Sequence, residues 1–411
     1  MKFSIITPTH IKNSFLMELY ESLLEQTYTD WEWVIYLNGG ATPNQVEKKI
    51  QEDKRVKLFV SPYEKNTVGG NKHEAFNLGT GDVLVEVDHD DMLTPDCLEE
   101  LNKAYQDDSV GFAFSDAGYY HVKDEFKPFG TAWGWTYKMF NWKGKDLYSM
   151  DSFEVNSRSL SFIWYSPDHV RSWRNSVYKS LGGHDKTLDV CDDQDLMTRT
   201  YIAGHKMYQI NKVLYIYRIT GENTWLEKNA AIQTKTRELF HKYGWDLAVR
   251  DAKDKGLLIV DVGGGLFPKP GCMTIDQQDA DINCDLNDGI PLPDNSVGVL
   301  NASHVIEHLH DKTKIMSEIH RVLADGGWAF IEVPSTDGRG AWQDPTHVSF
   351  WNENSFWYYI WRDKAQFIRN TTIRFQEFRL QTLWGDNHIA TTIAWLTAIK
   401  SDKKRPHLTA I

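Results

Sequence analysis

Short apolar runs in the N-terminal part of the chain alternate with segments that have helical spacing or turn residues. The runs span residues 2–9, 31–37, 56–60 and 84–87. Between the first two runs, apolar residues recur every three or four positions from Phe15 to Leu24, which predicts a helix with one apolar face. Strands that alternate with helices predict an α/β fold in which a parallel sheet has helices on both faces.

Polar residues follow three of these predicted strands at the point where each strand ends. They are Thr9, Asn38 and the acidic run with Asp88, Asp90 and Asp91. Ligands of parallel α/β sheets bind beside the carboxyl ends of the strands, so the sequence predicts a ligand site there. Crowded carboxylates repel one another unless a cation lies between them, and hard oxygen ligands suit Mg²⁺ or Mn²⁺. The alternative is a solvated acidic turn that binds nothing.

An ordered series of motifs between residues 26 and 218 resembles the family 2 glycosyltransferases, which have the GT-A fold. The motifs are Gln26–Tyr28, Gly69–Gly81, Asp88–Asp91, Leu181–Asp185, Asp192–Leu196 with Arg199, and Tyr217–Arg218. The resemblance implies a nucleotide-sugar donor and a glycan acceptor. It assigns Asp90 and Asp91 to the metal and the donor diphosphate. Thr9, Asn38 and Asp88 would complete the donor site.

The same resemblance places Lys72 against the donor phosphates or ribose and makes Asp193 the catalytic base. Glycosyl transfer with inversion needs a carboxylate that takes the proton from the attacking hydroxyl, opposite a metal that neutralises the leaving diphosphate. The alternative for Asp192, Asp193 and Asp195 is a favourable interaction of acidic side chains with the first turn of a helix.

Two positions depart from the family pattern. Asn38 follows a leucine where relatives often carry an acidic pair, so the sequence leaves the nucleotide of the donor open. Thr220 stands where many relatives carry a histidine, so a second metal or phosphate contact is not implied there.

Tryptophans are dense between Phe112 and Trp173. They are Trp133, Trp135, Trp142, Trp164 and Trp173. Because aromatic rings stack on the apolar faces of sugars, two or three of them together predict an acceptor groove. Ordinary core packing is the alternative for any single one.

A second alternation of strands and helices begins after the charged stretch at residues 250–256. Apolar runs at residues 257–262, 273–275, 297–302 and 329–333 predict strands. The first of these runs enters the loop Gly263–Gly265, where the backbone can approach a ligand closely. The change in pattern predicts a first domain over residues 1–235, a helical and charged linker over 236–255, and a second domain over 256–411.

The second series resembles the class I S-adenosylmethionine-dependent methyltransferases, which have a Rossmann-like fold. The resemblance implies that Asp261, Gly263 and Gly265 line the methionine part of the cofactor. Asp276 would bind the ribose hydroxyls, and Asp285 would lie near the adenine. A glycine loop alone also fits a dinucleotide, but here the acidic residue follows too soon for a full crossover helix.

The segment from His304 to His308 also matches the H-x-x-E-H pattern of inverted zinc peptidases. Two histidines four positions apart share one face of a helix, which would let both bind zinc. The position of the segment after a predicted sheet strand argues against a peptidase. One alternative is that His304 or His347 deprotonates the methyl acceptor. Another is that His304 and His308 orient the cofactor or cap a helix.

Length, charge and cysteine spacing limit the classes of function. A chain of 411 residues can form two cores, and its formal net charge of −12 argues against a nucleic-acid substrate. No apolar run is long enough to span a membrane, and we expect no signal peptide before Phe3. The four cysteines lack metal-binding spacing, which predicts reduced thiols and a cytoplasmic protein.

Together these patterns predict a bifunctional enzyme: a metal-dependent, inverting glycosyltransferase joined to a methyltransferase that O-methylates a sugar hydroxyl during polysaccharide biosynthesis. The alternative is a carbohydrate-binding scaffold, in which a degenerate transferase domain presents glycans to an active methyltransferase. The departure at Asn38 favours the scaffold slightly, whereas the intact Asp90, Asp91 and Asp193 oppose it.

Overall fold

The computed structural model describes residues 1–11, 15–122, 135–162, 167–221, 223–368 and 372–401. The chain forms two compact units, Met1–Tyr243 and Gly244–Ile411, which we call unit 1 and unit 2. The boundary between the units falls within the segment 236–255, where the sequence predicts a helical linker.

In unit 1, strands and helices alternate from the N-terminus, as the apolar pattern predicts. The strands are β1 (Phe3–Thr9), β2 (Trp31–Leu37), β3 (Val56–Val60), β4 (Val83–Glu86), β5 (Met92–Leu93), β6 (Val110–His121), β7 (Tyr137–Trp142), β8 (Lys145–Met150), β9 (Arg171–Arg174) and β10 (Lys206–Ile219). The helices are α1 (Phe15–Leu24), α2 (Lys48–Gln51), α3 (Val68–Asn77), α4 (Cys97–Ala104), α5 (Ser157–Phe162), α6 (Asn175–Ser180), α7 (Asp192–Ile202), α8 (Thr224–Glu227) and the first part of α9 (Asn229–Asp254).

The described strands of unit 1 form a sheet in the order β3-β2-β1-β4-β9-β6-β10-β5, with β8 paired to β6 and β7 paired to β8. β1 is parallel to both of its neighbours, β2 and β4, so the chain switches from one side of β1 to the other. The carboxyl ends of these strands meet at one edge of the sheet, where such a switch opens a crevice for ligands. β9 runs antiparallel between β4 and β6, a reversal that the apolar pattern does not predict.

The central strands of unit 1 are buried on both faces, which explains their nearly continuous apolar runs. Leu19 of α1 packs in one core cluster with Phe3 and Trp33. Phe76 of α3 packs in a second cluster with Ile6. Phe3 and Ile6 lie on opposite faces of β1 because successive side chains of a strand alternate between faces. The two helices therefore cover opposite faces of the sheet.

Unit 2 contains a second, separate sheet. Its strands are β11 (Leu258–Val262), β12 (Met273–Asp276), β13 (Ile282–Asn283), β14 (Val297–Ser303), β15 (Leu323–Pro334), β16 (Phe375–Trp384) and β17 (Ala390–Ala398). The helices that follow α9 are α10 (Lys312–Val322), α11 (Gly340–Gln343), α12 (Glu353–Ile360) and α13 (Arg362–Ala365).

The strand order in unit 2 is β13-β12-β11-β14-β15-β17-β16. β11 is parallel to both β12 and β14, which lie on opposite sides of it. In this sheet too, the chain therefore crosses from one side of its first strand to the other. β17 is antiparallel to both β15 and β16. The α/β class predicted for both domains is confirmed.

Two further predictions can be compared with the described residues. In that part of the chain, no helix combines the length and the apolar character that a membrane crossing requires. The cysteines Cys97, Cys191, Cys272 and Cys284 are all free thiols.

The C-terminal part of α9 packs within unit 2. The ring of Trp245 meets that of Phe330 edge to face with centroids 4.9 Å apart, and Lys269 Nζ lies 3.8 Å from the centre of the Trp245 ring. A Cβ atom placed on Gly298 of β14 would come within 2.5 Å of Ala252 Cβ, so the helix lies directly against the strand. The second domain predicted from the sequence begins at residue 256, so its bounds exclude α9 and these contacts.

We expect a fragment of residues 229–411 to be more stable than a fragment of residues 255–411, because only the longer one retains α9. Burial of an apolar side chain such as that of Leu247 in α9 contributes on the order of 2–3 kcal/mol. Thermal unfolding followed by circular dichroism should therefore show a difference of several degrees. As a control for chain length, Ala252→Asp in the longer fragment should lower the melting temperature by a similar amount. Equal melting temperatures for all three chains would place α9 outside the fold of unit 2.

Candidate active sites

Two adjoining cavities lie beside the carboxyl ends of β1, β2 and β4 in unit 1. The lining of the first, which has a volume of about 290 Å³, includes Asn38, Lys72, Asp88, Asp90 and Asp91. The second, of about 210 Å³, shares Lys72 and Asp88 with the first and is also lined by Asp193. The structure therefore brings the two acidic motifs of the sequence to neighbouring walls, although they are far apart along the chain.

Thr9 differs from the other residues that the sequence assigns to the donor site. Its side chain is buried, and Oγ1 accepts the backbone N–H of Ile11 at 3.1 Å. The neighbouring His10 lines the first cavity, whereas Thr9 is not part of the lining. In this structure Thr9 orders the turn that follows β1.

The acidic loop, residues 88–91, is held by β10. The Tyr215 hydroxyl donates to Asp91 Oδ2 at 2.7 Å and accepts the Asp88 N–H at 3.1 Å. The backbone N–H of Arg218 donates to Asp91 Oδ1 at 2.7 Å. The Arg218 Nε–H donates to the Asp90 carbonyl at 2.6 Å. Sequence reasoning included Arg218 in a motif but missed Tyr215, which lies two residues before that motif.

The carboxyl groups of the loop carry more negative charge than their surroundings balance. Burial raises the pKa of Asp88 to about 7, and repulsion from Glu86 and Asp90 adds to the rise despite the attraction of Lys72. Burial and the charges of Asp90 and Asp88 hold the pKa of Asp91 well above its usual value. A divalent cation in the first cavity fits this set of oxygen donors, because its charge would offset the repulsion.

Lys72 lies between two buried carboxylates on the wall that the cavities share. Its Nζ is 2.6 Å from Glu86 Oε1 and 3.3 Å from Asp192 Oδ2. Burial alone would lower the pKa of Lys72, but the charges of Asp192 and Glu86 outweigh it and hold the pKa well above its usual value. Sequence reasoning missed Glu86. The available signal was a carboxylate at the last position of an otherwise apolar strand.

Asp192 and Asp193 begin α7, where carboxylates interact favourably with the helix dipole. Burial raises the pKa of Asp192 to about 6. Burial acts in the same direction on Asp193, but attraction to Arg171 and Lys72 outweighs it and holds the pKa below its usual range. Asp193 forms an ion pair with Arg171 and accepts the Gln194 N–H at 2.7 Å. Adjacent carboxyl groups with such different pKa values can take separate roles in proton transfer.

Asp195, the third acid of this motif, has structural contacts. Its Oδ1 accepts the Tyr243 hydroxyl of α9 at 2.6 Å, and its Oδ2 accepts the Nε–H of Arg199 at 2.7 Å. The side chain is only 1% exposed. Asp195 therefore joins α7 to α9 within unit 1.

The tryptophans of the predicted acceptor groove are mostly core residues where they are described. Trp135, Trp142 and Trp173 are all buried. Trp133 and Trp164 lie outside the described residues. Trp225 of α8, which the sequence reasoning did not single out, lines the second cavity together with Asp193.

In unit 2, the loop Gly263–Gly265 connects β11 to the segment before β12. Gly263 has φ +78°, and a Cβ there would lie 2.5 Å from the side chain of Val305. A Cβ on Gly265 would come within 2.6 Å of the Gln278 carbonyl oxygen. Both positions thus require glycine, because neighbouring protein atoms occupy the space that a side chain would need.

The acidic residues predicted to contact the cofactor differ in their surroundings. Asp261 is buried, and its oxygens accept Asn301 Nδ2–H at 2.7 Å and the Lys269 N–H at 2.8 Å. Asp276, at the end of β12, accepts the N–H of Gly265 at 2.9 Å. Asp285 is exposed and accepts the backbone N–H of the residue two positions later at 2.9 Å. Asp261 and Asp276 thus both shape the glycine loop.

Three histidines of unit 2, His304, His308 and His347, lie near one carboxylate. His304 follows β14 with φ +54°, and its Nδ1 is 3.6 Å from Glu307 Oε1. His347 Nε2 and His308 Nε2 lie 3.9 Å and 4.0 Å from the same oxygen. Residues Ile306–His308 form a single 3-10 turn. The expectation that His304 and His308 share a helix face is therefore wrong, because no α-helix forms there.

Family models match parts of both units. Residues 4–169 match "Glycosyl transferase family 2", and residues 272–331 match "Methyltransferase domain". The chain joins a family 2 glycosyltransferase domain to a methyltransferase domain. Unit 1 accordingly has the predicted GT-A-like fold and unit 2 the predicted Rossmann-like fold, in agreement with their strand orders. The glycosyltransferase match includes the acidic loop but ends before Asp193.

Known proteins resemble the chain at low sequence identity. The O-antigen biosynthesis protein RfbC of Myxococcus xanthus is 22% identical over 244 residues, which are 57% of this chain and 17% of RfbC. The glycosyltransferase GlyG of Streptococcus pneumoniae is 24% identical over 221 residues, which are 52% of this chain and 70% of GlyG. A crystal structure of S. aureus TarS residues 1–349 in complex with UDP is also similar to this chain. The match covers 61% of this chain and 65% of the TarS chain, with 18% sequence identity and a TM-score of 0.43.

We expect Tyr215→Phe to weaken binding of a nucleoside diphosphate with Mn²⁺, because the acidic loop loses the hydroxyl that joins Asp88 to Asp91. The loss of this buried hydrogen bond should also lower the free energy of unfolding by about 1–3 kcal/mol, because an oxygen of Asp91 loses its donor. Calorimetric titration and thermal unfolding measure the two effects. Tyr105→Phe is the matched control, since its buried hydroxyl donates to the Ser172 carbonyl at 2.7 Å away from the cavities. Unchanged binding in Tyr215→Phe would show that the loop does not need this support.

Proposed function

We propose that the chain is a bifunctional glycan-modifying enzyme. Its first activity is metal-dependent, inverting transfer of a sugar from a nucleotide-sugar donor to a glycan. Its second is O-methylation of a sugar hydroxyl with S-adenosylmethionine. The observation that carries the first activity is the position of Asp193 and the acidic loop on adjoining cavities that share Lys72.

The first cavity suits the donor diphosphate together with Mg²⁺ or Mn²⁺. Asp88, Asp90 and Asp91 all line it, but both oxygens of Asp91 already accept hydrogen bonds from β10. We therefore assign the metal contact to Asp88 and Asp90 and a positioning role to Asp91, in place of the pair Asp90 and Asp91. When bound, the metal neutralises the leaving diphosphate. Asn38, on the same wall, can donate to and accept from the base or ribose.

Asp193 acts as the base toward an acceptor in the second cavity. Its ion pair with Arg171 keeps the carboxylate ionised at neutral pH. Because the same attraction makes Asp193 a weak base, proton transfer follows formation of the new C–O bond, which acidifies the acceptor hydroxyl. Trp225 lines this cavity and offers an aromatic face to a sugar ring. The name of RfbC, an O-antigen biosynthesis protein, supports a glycan acceptor.

The glycine loop of unit 2 suits S-adenosylmethionine, which supplies a methyl group on a sulfonium when bound. Gly263 and Gly265 are half-buried and lie at the switch point of the sheet, where ligands of such folds bind. Asp276 holds this loop through Gly265 and has oxygen lone pairs for ribose hydroxyls. Asp285, which is exposed, would reach the adenine. The cytoplasmic localisation stays a prediction.

Asp193→Asn should reduce sugar transfer by about 10²-fold or more without weakening donor binding, because the amide keeps its size but cannot take a proton. Initial rates with a labelled donor measure this effect. Asp189→Asn is the matched control, since Asp189 lines the same cavity but pairs with Lys228 at 2.9 Å. Near-normal turnover, or retention at the anomeric carbon, would exclude Asp193 as the base. A wild-type chain that binds glycans but never consumes donor would instead support the scaffold alternative.

We expect the methyltransferase to act on the sugar that its partner domain has just added. Two enzymes in one chain raise the local concentration of a shared intermediate when both sites can reach it. Mass spectrometry after stepwise addition of donor and S-adenosylmethionine should show the methyl mass only after the sugar mass, and on the new residue. Asp276→Ala should abolish the methyl mass and leave the sugar mass intact. Methylation of the acceptor without any donor would show that the order is wrong.

A further inference from the structure

We propose that Glu307, His308 and His347 of unit 2 bind a divalent cation of the Zn²⁺ class. In the part of the chain that the structure describes, these side chains form a group whose ligand atoms all lie within 4.8 Å of one another. The site lies at the carboxyl end of β14 and uses a different set of residues from the pair His304 and His308 suggested by the sequence pattern.

The distances suit a common ligand. Glu307 Oε1 lies 4.0 Å from His308 Nε2 and 3.9 Å from His347 Nε2. These distances are too long for direct hydrogen bonds. Zinc bonds of about 2.0–2.2 Å to nitrogen and oxygen bridge donor atoms up to about 4.2 Å apart. At a tetrahedral angle such bonds place the donor atoms about 3.4 Å apart. The three ligand atoms, which lie within 4.8 Å of one another, would therefore have to move closer together to bind the cation.

Both histidines are oriented as metal ligands usually are. His347 Nδ1 is 2.9 Å from the Ala341 carbonyl, and His308 Nδ1 is 3.1 Å from the Thr346 carbonyl. A carbonyl only accepts, so each Nδ1 carries the hydrogen and each Nε2 presents a lone pair toward Glu307. Zinc-binding histidines typically donate their other N–H to a carbonyl or carboxylate in this way.

Glu307 supplies a second, independent observation. Its side chain is 3% exposed, and Oε2 is buried without a hydrogen-bond partner. A buried carboxylate oxygen without a partner is costly. The backbone holds Glu307 in place, because its carbonyl accepts the N–H groups of Val348 and Ser349, each at 2.9 Å. Oε1 faces the imidazoles, of which His304 Nδ1 is nearest at 3.6 Å, so a cation would satisfy Oε2 as well only if both carboxylate oxygens bind it.

The donor set selects the type of cation. Two imidazole nitrogens and one carboxylate oxygen are the protein ligands of many catalytic zinc sites, which keep a further position open. Mg²⁺ prefers oxygen ligands instead. The side chain of His308 is 37% exposed, so one side of the site is accessible from solvent.

The role of the cation rests on the proposed function. Val305, which precedes the turn that carries Glu307, lies against Gly263 of the glycine loop, so the cation would lie near the methyl donor. There it would bind the acceptor hydroxyl and make it more acidic. The methyl group then passes from sulfur to that oxygen, the S–C electron pair stays on sulfur, and the hydroxyl proton passes to water. His347 becomes a ligand and not the base.

The experiment measures zinc binding to the full chain by equilibrium dialysis after treatment with a chelator. Glu307→Gln and His347→Ala should each bind one equivalent of Zn²⁺ less than the wild-type chain, whereas the exposed His310→Ala should bind as much as wild type. Thermal unfolding followed by circular dichroism, with similar transitions in all four proteins, shows that unit 2 is folded. Calorimetry measures S-adenosylmethionine binding separately. Asp90→Asn should leave this equivalent of zinc unchanged, since it alters unit 1.

The outcomes separate this inference from the proposed function. Equal zinc content in wild type, Glu307→Gln and His347→Ala would overturn the site, as would its complete displacement by Mg²⁺ at equal concentration. If the zinc content differs as expected but none of the proteins binds S-adenosylmethionine, the result supports the metal site and contradicts the proposed methyl transfer.

Discussion

Buried carboxylates need positive partners, and this requirement organises unit 1 around its two cavities. Lys72 lies between Glu86 and Asp192, and Arg171 pairs with Asp193. These side chains come from α3, β4, α7 and β9. Loss of one partner from the buried pair Lys72 and Glu86 costs about 3–5 kcal/mol, because the remaining charge is left uncompensated. The charge network therefore ties four elements together and shapes the wall that the cavities share.

The carboxylates of the acidic loop have less positive charge around them than they need. Tyr215 and the backbone of Arg218 satisfy both oxygens of Asp91, but the pKa of Asp88 still rises to about 7. The fold holds the loop rigidly while its carboxylates repel one another. This combination prepares a cation site in advance, because the protein has already met the cost of ordering the ligands.

Unit 2 meets the same requirement in a different way. Glu307 is buried there, and two of its three imidazole neighbours, His308 and His347, have their Nδ1–H groups directed to backbone carbonyls. The third imidazole, His304, lies 3.6 Å away through Nδ1, and its hydrogen bond to Glu307 raises the pKa of His304. The two units thus differ in the cation that they suit, since one presents oxygen donors and the other mostly nitrogen donors.

The apolar pattern alone predicted the α/β class of both units, because strands and helices have different periods and buried parallel strands are almost wholly apolar. It also placed Asn38 and Asp88 at one edge, since parallel strands align their carboxyl ends. It could not place Arg218 on the acidic loop or His347 beside Glu307. Those contacts depend on β10 pairing with β5 and on a distant loop returning to β14. Local sequence specifies each element, whereas packing of the whole sheet decides which elements become neighbours.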